Sequence, residues 1–243
     1  MRAPTPSLGR RYFSHPEHGP LPALLILLTF GTGLIDAISI IGLGRVFVAN
    51  MTGNIVFIGF AIAHAPGFSL WGSLVALVAF LVGAAAGGSV VAWFGAHRGR
   101  LLRNALIMQL ALFVVALALS VVAPEPLATA PQLAIVAIGA LALGIQNAVV
   151  RHLAVPDMTT TVLTMTLTGV GSDIRNGHLR AAGRRLVAVL AMLLGAMLGA
   201  TLVLLLGVSA GIAGVAILLA VTLVGATLAA RGTPDWAAGA KSA

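Results

Sequence analysis

Eight apolar stretches divide the chain, at roughly 22–43, 47–64, 69–95, 102–123, 132–150, 158–172, 185–206 and 209–230. Six have the length of about 20 residues and the unbroken apolar character of a helix that crosses a bilayer. Two do not. The second opens with Asn50-Met51-Thr52-Gly53-Asn54, and the sixth opens with Asp157-Met158-Thr159-Thr160-Thr161 and continues through Thr164, Thr166 and Thr168. Both are short, and polar where a lipid-facing helix is apolar. The expected fold is an all-α membrane protein of six transmembrane helices plus two short re-entrant or broken helices.

The basic residues support that division. If both abnormal segments enter and leave on one side and the N-terminus is inside, every Lys and Arg except Arg45 falls on the inner side. If all eight segments cross, Arg45, Arg98, Arg100, Arg103 and Arg151 move outside, against the inward bias of basic loop residues. A seven-span arrangement with the N-terminus outside misplaces just Arg2, Arg10 and Arg11, and stays in competition.

The chain also resembles itself. Gly33-Leu34-Ile35-Asp36-Ala37 returns as Gly144-Ile145-Gln146-Asn147-Ala148, 111 residues on (33 to 144). One residue further out of step, Thr52-Gly53-Asn54 aligns with Thr164-Met165-Thr166, Gly59 with Gly171, and Gly83 and Gly87 with Gly195 and Gly199. With six spans the copies, 21–123 and 131–230, have opposite orientations. Inverted repeats with discontinuous helices near the midplane are a common secondary-transporter architecture. The flanking segments, 1–20 and 231–243, read as a disordered cytoplasmic tail and a polar C-terminal tail.

One ionisable residue stands out. Asp36 lies inside the first apolar stretch, roughly 20 Å along a helix that begins near Pro22. Such a group at membrane depth is expensive and points to function: it can carry a proton or ligate a small cation. The structural alternative is a protonated, hydrogen-bonded packing residue. Its repeat mate, Asn147, is a neutral near-isostere, so a shared site would pair one titratable group with one fixed dipole. Asn50, Thr52, Gly53 and Asn54 suit the bend of a re-entrant segment, with Gly53 permitting positive φ. A half-helix starting there would aim its N-terminus inward, faced by Thr160, Thr161, Thr164 and Thr166. The structural alternative for the threonines is bonding back to their own helices. Gly83 to Gly87 and Gly195 to Gly199 are small-xxx-small motifs that favour close helix packing. Arg98, Arg100 and Arg103, and Arg175 to Arg185, read as solvated anchors, with lipid-headgroup contact as the functional alternative. Asp173 and Arg175 suggest a loop ion pair.

Composition narrows the function classes. Charged residues are 8% of the chain and mean hydropathy is +1.07, far from the roughly 25% charge of a soluble domain. The net charge of +8 lies in the breaks between apolar runs, as at a membrane face, and no basic–aromatic patch indicates nucleic acid. There is no cysteine, and the histidines lack ligand spacing apart from His15 and His18, so no metal or other cofactor is expected. An aspartyl intramembrane protease needs a second deep carboxylate. A serine protease needs a histidine at depth beside Ser39, Ser89 or Ser120. Neither is present, so no enzyme is expected.

The stretches GLIDAISIIGLGRVFVANMTGNIVFIG and QNAVVRHLAVPDMTTTVLTMTLT resemble the YoaK-type family of uncharacterised bacterial polytopic membrane proteins, over nearly all of the chain after the tail. The resemblance implies a bacterial inner-membrane protein and carries over no catalytic or binding residue. The family's T-G-T is Thr164-Met165-Thr166 here, which argues against a positive-φ break at that point of the second copy. Together the readings point to a secondary transporter of a small anionic or zwitterionic solute, coupled to a proton or cation through Asp36. The alternative is a non-transporting scaffold or regulatory protein. The expected partners are the lipid bilayer and that solute, and the small-residue faces would suit a homodimer.

Overall fold

A computed structural model describes residues 17–124, 127–156, 160, 163–231 and 235–237. Most of both tails, and Asp157, Met158, Thr159 and Thr161 of the sixth stretch, lie outside the described residues. Among the described residues eight α-helices follow in order: α1 Leu21–Gly42, α2 Met51–Ile62, α3 Leu70–Phe94, α4 Arg98–Val122, α5 Thr129–Leu153, α6 Leu163–Arg175, α7 Leu179–Leu206 and α8 Val208–Ala229. All but α2 and α6 are long and apolar enough to cross a membrane, giving six spans. The protein is a multi-pass membrane protein.

Local chemistry sets the helix ends. Pro22 lies in the first turn of α1, where its missing N–H costs nothing. Ser69 caps α3 by accepting from the Gly72 N–H at 3.0 Å, and the His97 ring caps α4 by accepting from the Arg100 N–H at 3.2 Å. α4 and α7 begin several residues before their apolar stretches because Arg98 to Arg103 and Arg180 to Arg185 continue the helices into the polar zone. A charge ends hydrophobicity, not helicity. Gly207, at φ +88°, makes the one-residue corner between α7 and α8.

The spans pack in two groups of three. α1 packs most extensively on α7 and also on α8, while α5 packs most extensively on α3 and also on α4. α4 against α8, with a small contact of α1 on α5, joins the groups. Glycines make the two closest crossings. A Cβ on Gly33 would fall inside the Met192 carbonyl, and one on Gly195 inside the Phe30 carbonyl. Likewise a Cβ on Gly144 would enter the Phe80 carbonyl, and one on Gly83 the Leu141 carbonyl. Gly199 meets the Leu34 carbonyl in the same way, and a Cβ on Gly87 would press on Ala148 and Ile145 at 2.8 and 2.9 Å. Backbones this close gain dispersion contacts that lipid cannot supply.

Helix ends fall into two sets. One holds the start of α1, the α3–α4 connector, the end of α5, the α6–α7 connector and the end of α8, linked through Arg98 with His18 and Leu153, through Gly99 with Ala230, and by the parallel course of α1 and α7. Among the described residues this set carries every arginine except Arg45, which lies at the opposite end beside Gly67. Gly19, at the end of the N-terminal tail, lies under the Trp236 ring.

Gly33→Val and Gly144→Val should each lower stability by at least about 1–3 kcal/mol, the usual cost of overpacking, because the neighbour is backbone and cannot rotate away. Gly59→Val and Gly171→Val, where a Cβ meets nothing within 4 Å, should be close to neutral. Thermal unfolding of the four variants in one detergent checks the contrast.

Candidate functional site

The first break in the helical pattern is built around Asp36. After α1 ends at Gly42, the chain turns through Gly44 and Arg45, both at positive φ (+86° and +56°). It then runs back along α1 as an extended connector. The Asp36 carboxylate accepts from the N–H groups of Val48 at 3.1 Å and Ala49 at 3.0 Å. Asp36 lies six residues before the end of α1, so the connector descends about 9 Å from that end before α2 starts. Asn54, in the first turns of α2, closes the other side. Its Nδ2 donates to the Phe47 carbonyl at 2.7 Å and its Oδ1 accepts from the Phe47 N–H at 2.9 Å. Three consecutive peptide units, 47 to 49, are thus paired with side chains at a depth where water is absent.

The bend is therefore at Gly44-Arg45 and not at Gly53, as the sequence suggested. Gly53 sits in the first turn of α2, where a Cβ would meet the Phe47 ring at 2.5 Å. Asn50 is the N-cap residue of α2 without a side-chain cap bond, and Thr52 is exposed.

The second break is built alike with different chemistry. α5 ends at Leu153, Ala154 adopts φ +46°, and the chain re-enters so that Thr160 meets Gln146, seven residues back along α5. The Gln146 Nε2 donates to the Thr160 hydroxyl at 3.3 Å and to the Thr32 hydroxyl of α1 at 3.3 Å. α6 then begins at Leu163, with Thr164 and Thr166 inside its first turns. Met165 is no obstacle, because the positive-φ residue is Ala154. Thr166 is buried and Thr164 exposed.

The candidate residues do not form one cluster. α2 packs on α3 and α6 on α7, and the two short helices do not touch. The polar starts of the abnormal segments therefore do not face one another, which corrects that expectation. Asp36 joins the first connector, while Thr160 joins Gln146. Thr161 lies outside the described residues. The Asn147 side chain makes no hydrogen bond among the described residues and lines a cavity of about 870 Å³ between α3 and α5, with Arg151 and His152 at its polar end. Back-bonding accounts for Thr29, Thr168, Thr201, Thr222 and Thr227, and for the Thr32 hydroxyl as donor. Asp173 pairs at 3.0 Å with Arg185 of α7 and not with Arg175, because residues two apart on a helix point away from each other.

Besides the buried Ser73 hydroxyl near the start of α3, two side chains deeper in the spans have polar atoms left open. The Asp36 Oδ2 has no hydrogen-bond partner, and neither does either polar atom of the Gln109 side chain, which is 1% exposed. Gln109, on α4, lines a void of about 10 Å³ with Gln146 of α5, Ile35 of α1 and Leu219 of α8. That void sits on the seam between the two helix groups and has about the volume needed for one water. Sequence reasoning missed Gln109 and Gln146. The available signal was a glutamine inside an apolar stretch, at Gln109 one with no counterpart in the other copy.

The family model described as "Protein of unknown function (DUF1275)" matches residues 24–225. The UPF0700 transmembrane protein YoaK of Bacillus subtilis (strain 168) is 33% identical over 151 residues, covering 62% of this chain and 66% of that protein. No solved structure matches the chain.

Asp36→Leu should leave the Val48 and Ala49 N–H groups unpaired in an apolar setting, costing about 1–3 kcal/mol for each. Asp36→Asn keeps an acceptor oxygen in place and should retain most of that stability. Reversible unfolding in mixed micelles, with proteolysis at the 43–50 connector as second readout, separates the two.

Proposed function

The chain belongs to the DUF1275 family, and from that premise we propose that it is a secondary transporter of a small anionic or zwitterionic solute. A proton or cation is coupled through Asp36, and the protein lies in a bacterial inner membrane with both termini in the cytoplasm. The observation that carries this reading is the polar seam. Thr32, Gln146 and the unpartnered Gln109 meet at mid-depth, where the α1–α7–α8 group abuts the α5–α3–α4 group. A rigid bundle gains nothing from an unsatisfied amide there. An interface that opens and closes to a polar solute does.

Three features support the reading. The glycine crossings correspond pair by pair, Gly33 on Met192 with Gly144 on Phe80, and Gly195 on Phe30 with Gly83 on Leu141. This favours an inverted duplication in which each copy lends its first helix to the other. Rocking of two such groups about a midplane site is a common route to alternating access. The cavity beside Asn147, with Arg151 and His152 at its polar end, favours an anionic group on the solute. The single-ended arginine distribution favours a cytoplasmic location for that end.

In proteoliposomes screened with small organic and inorganic anions under an imposed pH gradient, wild type should take up solute only with the gradient. Asp36→Asn should still exchange solute while losing the gradient dependence. If no anion moves, or if Asp36→Asn couples like wild type, the coupled-transport reading is wrong. Since the chain has no native cysteine, single cysteines can report orientation. One at Arg231 should resist an impermeant thiol reagent in intact cells, and one at Ala65 should react.

A further inference from the structure

We propose that the cleft between the start of α4 and the end of α8 is a binding site for a phosphate group, carried either by an anionic phospholipid or by a free phosphate. The cleft holds about 190 Å³ and is lined by His97, Arg100, Arg103, Thr227 and Arg231. At that volume it suits a headgroup or ion, below the 300–1,000 Å³ or so of pockets for drug-sized ligands. Its chemistry is one-sided. Three arginines line it, and no described carboxylate does.

Neighbouring contacts show which donors are free for a ligand. Arg98, although adjacent in sequence, is committed elsewhere: its guanidinium bridges the His18 ring and the Leu153 carbonyl. Arg103 is oriented by the Asn104 Oδ1 at 3.2 and 3.3 Å and keeps other N–H donors. Because the His97 Nδ1 accepts from the Arg100 N–H, the remaining ring nitrogen, Nε2, carries the proton and is a donor. The first-turn N–H groups of α4 add positive potential from the other wall. The carbonyl end of α8 acts against an anion, and Arg231, two residues past that end, offsets it. Guanidinium forks match the geometry of phosphate oxygens. Thr227, the deepest of these residues on α8, lies one turn inside the helix end, which puts the cleft at headgroup level. The site is independent of the transport reading.

The test uses the full-length protein in a neutral detergent. Binding of phosphatidylglycerol, of phosphatidylcholine and of inorganic phosphate is followed by thermal-shift titration and native mass spectrometry. Wild type is compared with Arg100→Gln/Arg231→Gln and with Arg175→Gln/Arg180→Gln, which removes the same charge elsewhere on that end. The cleft variant should bind phosphatidylglycerol roughly 25-fold more weakly, the product of about fivefold for each arginine. The control should lose less than about threefold. Inorganic phosphate that binds alone and displaces the lipid assigns the site to free phosphate; phosphate that does neither, while the lipid binds, assigns it to the headgroup. Equal losses in cleft and control variants, or equal affinity for both lipids in wild type, would overturn the proposal. Should the glutamine variant not fold, Arg100→Lys/Arg231→Lys keeps the charge without the fork, and wild-type affinity there would count against the site.

Discussion

A peptide group placed at membrane depth must find a partner inside the protein, and the two breaks in this bundle are shaped by that demand. Residues 47 to 49 run extended beside α1, where no helix or sheet ladder can satisfy them. The Asp36 carboxylate takes two of their N–H groups, and the Asn54 amide takes both polar groups of Phe47. A leucine at position 36 would fill the space and still fail, because the cost lies in the unpaired donors. The buried acid therefore has a structural task whatever else it does. Its second oxygen, left without a partner, is the part that structure alone does not use.

Close helix packing makes the rest of the bundle possible. Lipid chains compete evenly with leucine for contact, so apolarity does not select one helix neighbour over another. Selection comes instead from places where two backbones touch, and here these are the glycines of α1 on α7 and of α5 on α3. Both crossings lie within the three-helix groups. The seam between the groups is joined by α4 on α8 and by a few polar bonds, such as the Ser209 hydroxyl to the Ser120 carbonyl at 3.0 Å and Gln146 to Thr32. The two closest backbone crossings thus lie inside the groups, while a broad α4–α8 contact joins the groups to each other.

The fold was readable in the sequence because the bilayer imposes a length and a polarity on each element. Hydropathy found all eight described helices; the arginine bias favoured six spans but left a seven-span arrangement in competition, and the helix lengths give six. Helix starts were missed by several residues at α4 and α7, where arginines prolong a helix past its apolar run. The site was only partly readable. Asp36 stood out because a charge in an apolar run is rare. Gly53 drew attention as a turn residue, yet the turn uses Gly44 and Arg45, and nothing local marks Arg45 for positive φ. The facing of two half-helices could not be judged from spacing. It depends on which spans exchange partners, and with α2 on α3 and α6 on α7 the short helices end up apart. Gln109 and Gln146 were overlooked because a neutral amide barely alters hydropathy, although an unpartnered amide at depth is as informative as a charge.

Both breaks converge on one turn of α1. Asp36 holds the first connector through Val48 and Ala49. Four residues earlier, on the same face of the helix, Thr32 receives the Gln146 amide, which also reaches Thr160 of the second connector. The two attachments differ in strength. A carboxyl oxygen accepting two N–H groups at 3.0 and 3.1 Å is a firm anchor, whereas an amide divided between two hydroxyls at 3.3 Å is a loose one. The acid that anchors the first connector and the hydroxyl that receives the seam-crossing bond thus sit one helical turn apart on α1, which puts the first break and the contact between the two groups on the same stretch of helix.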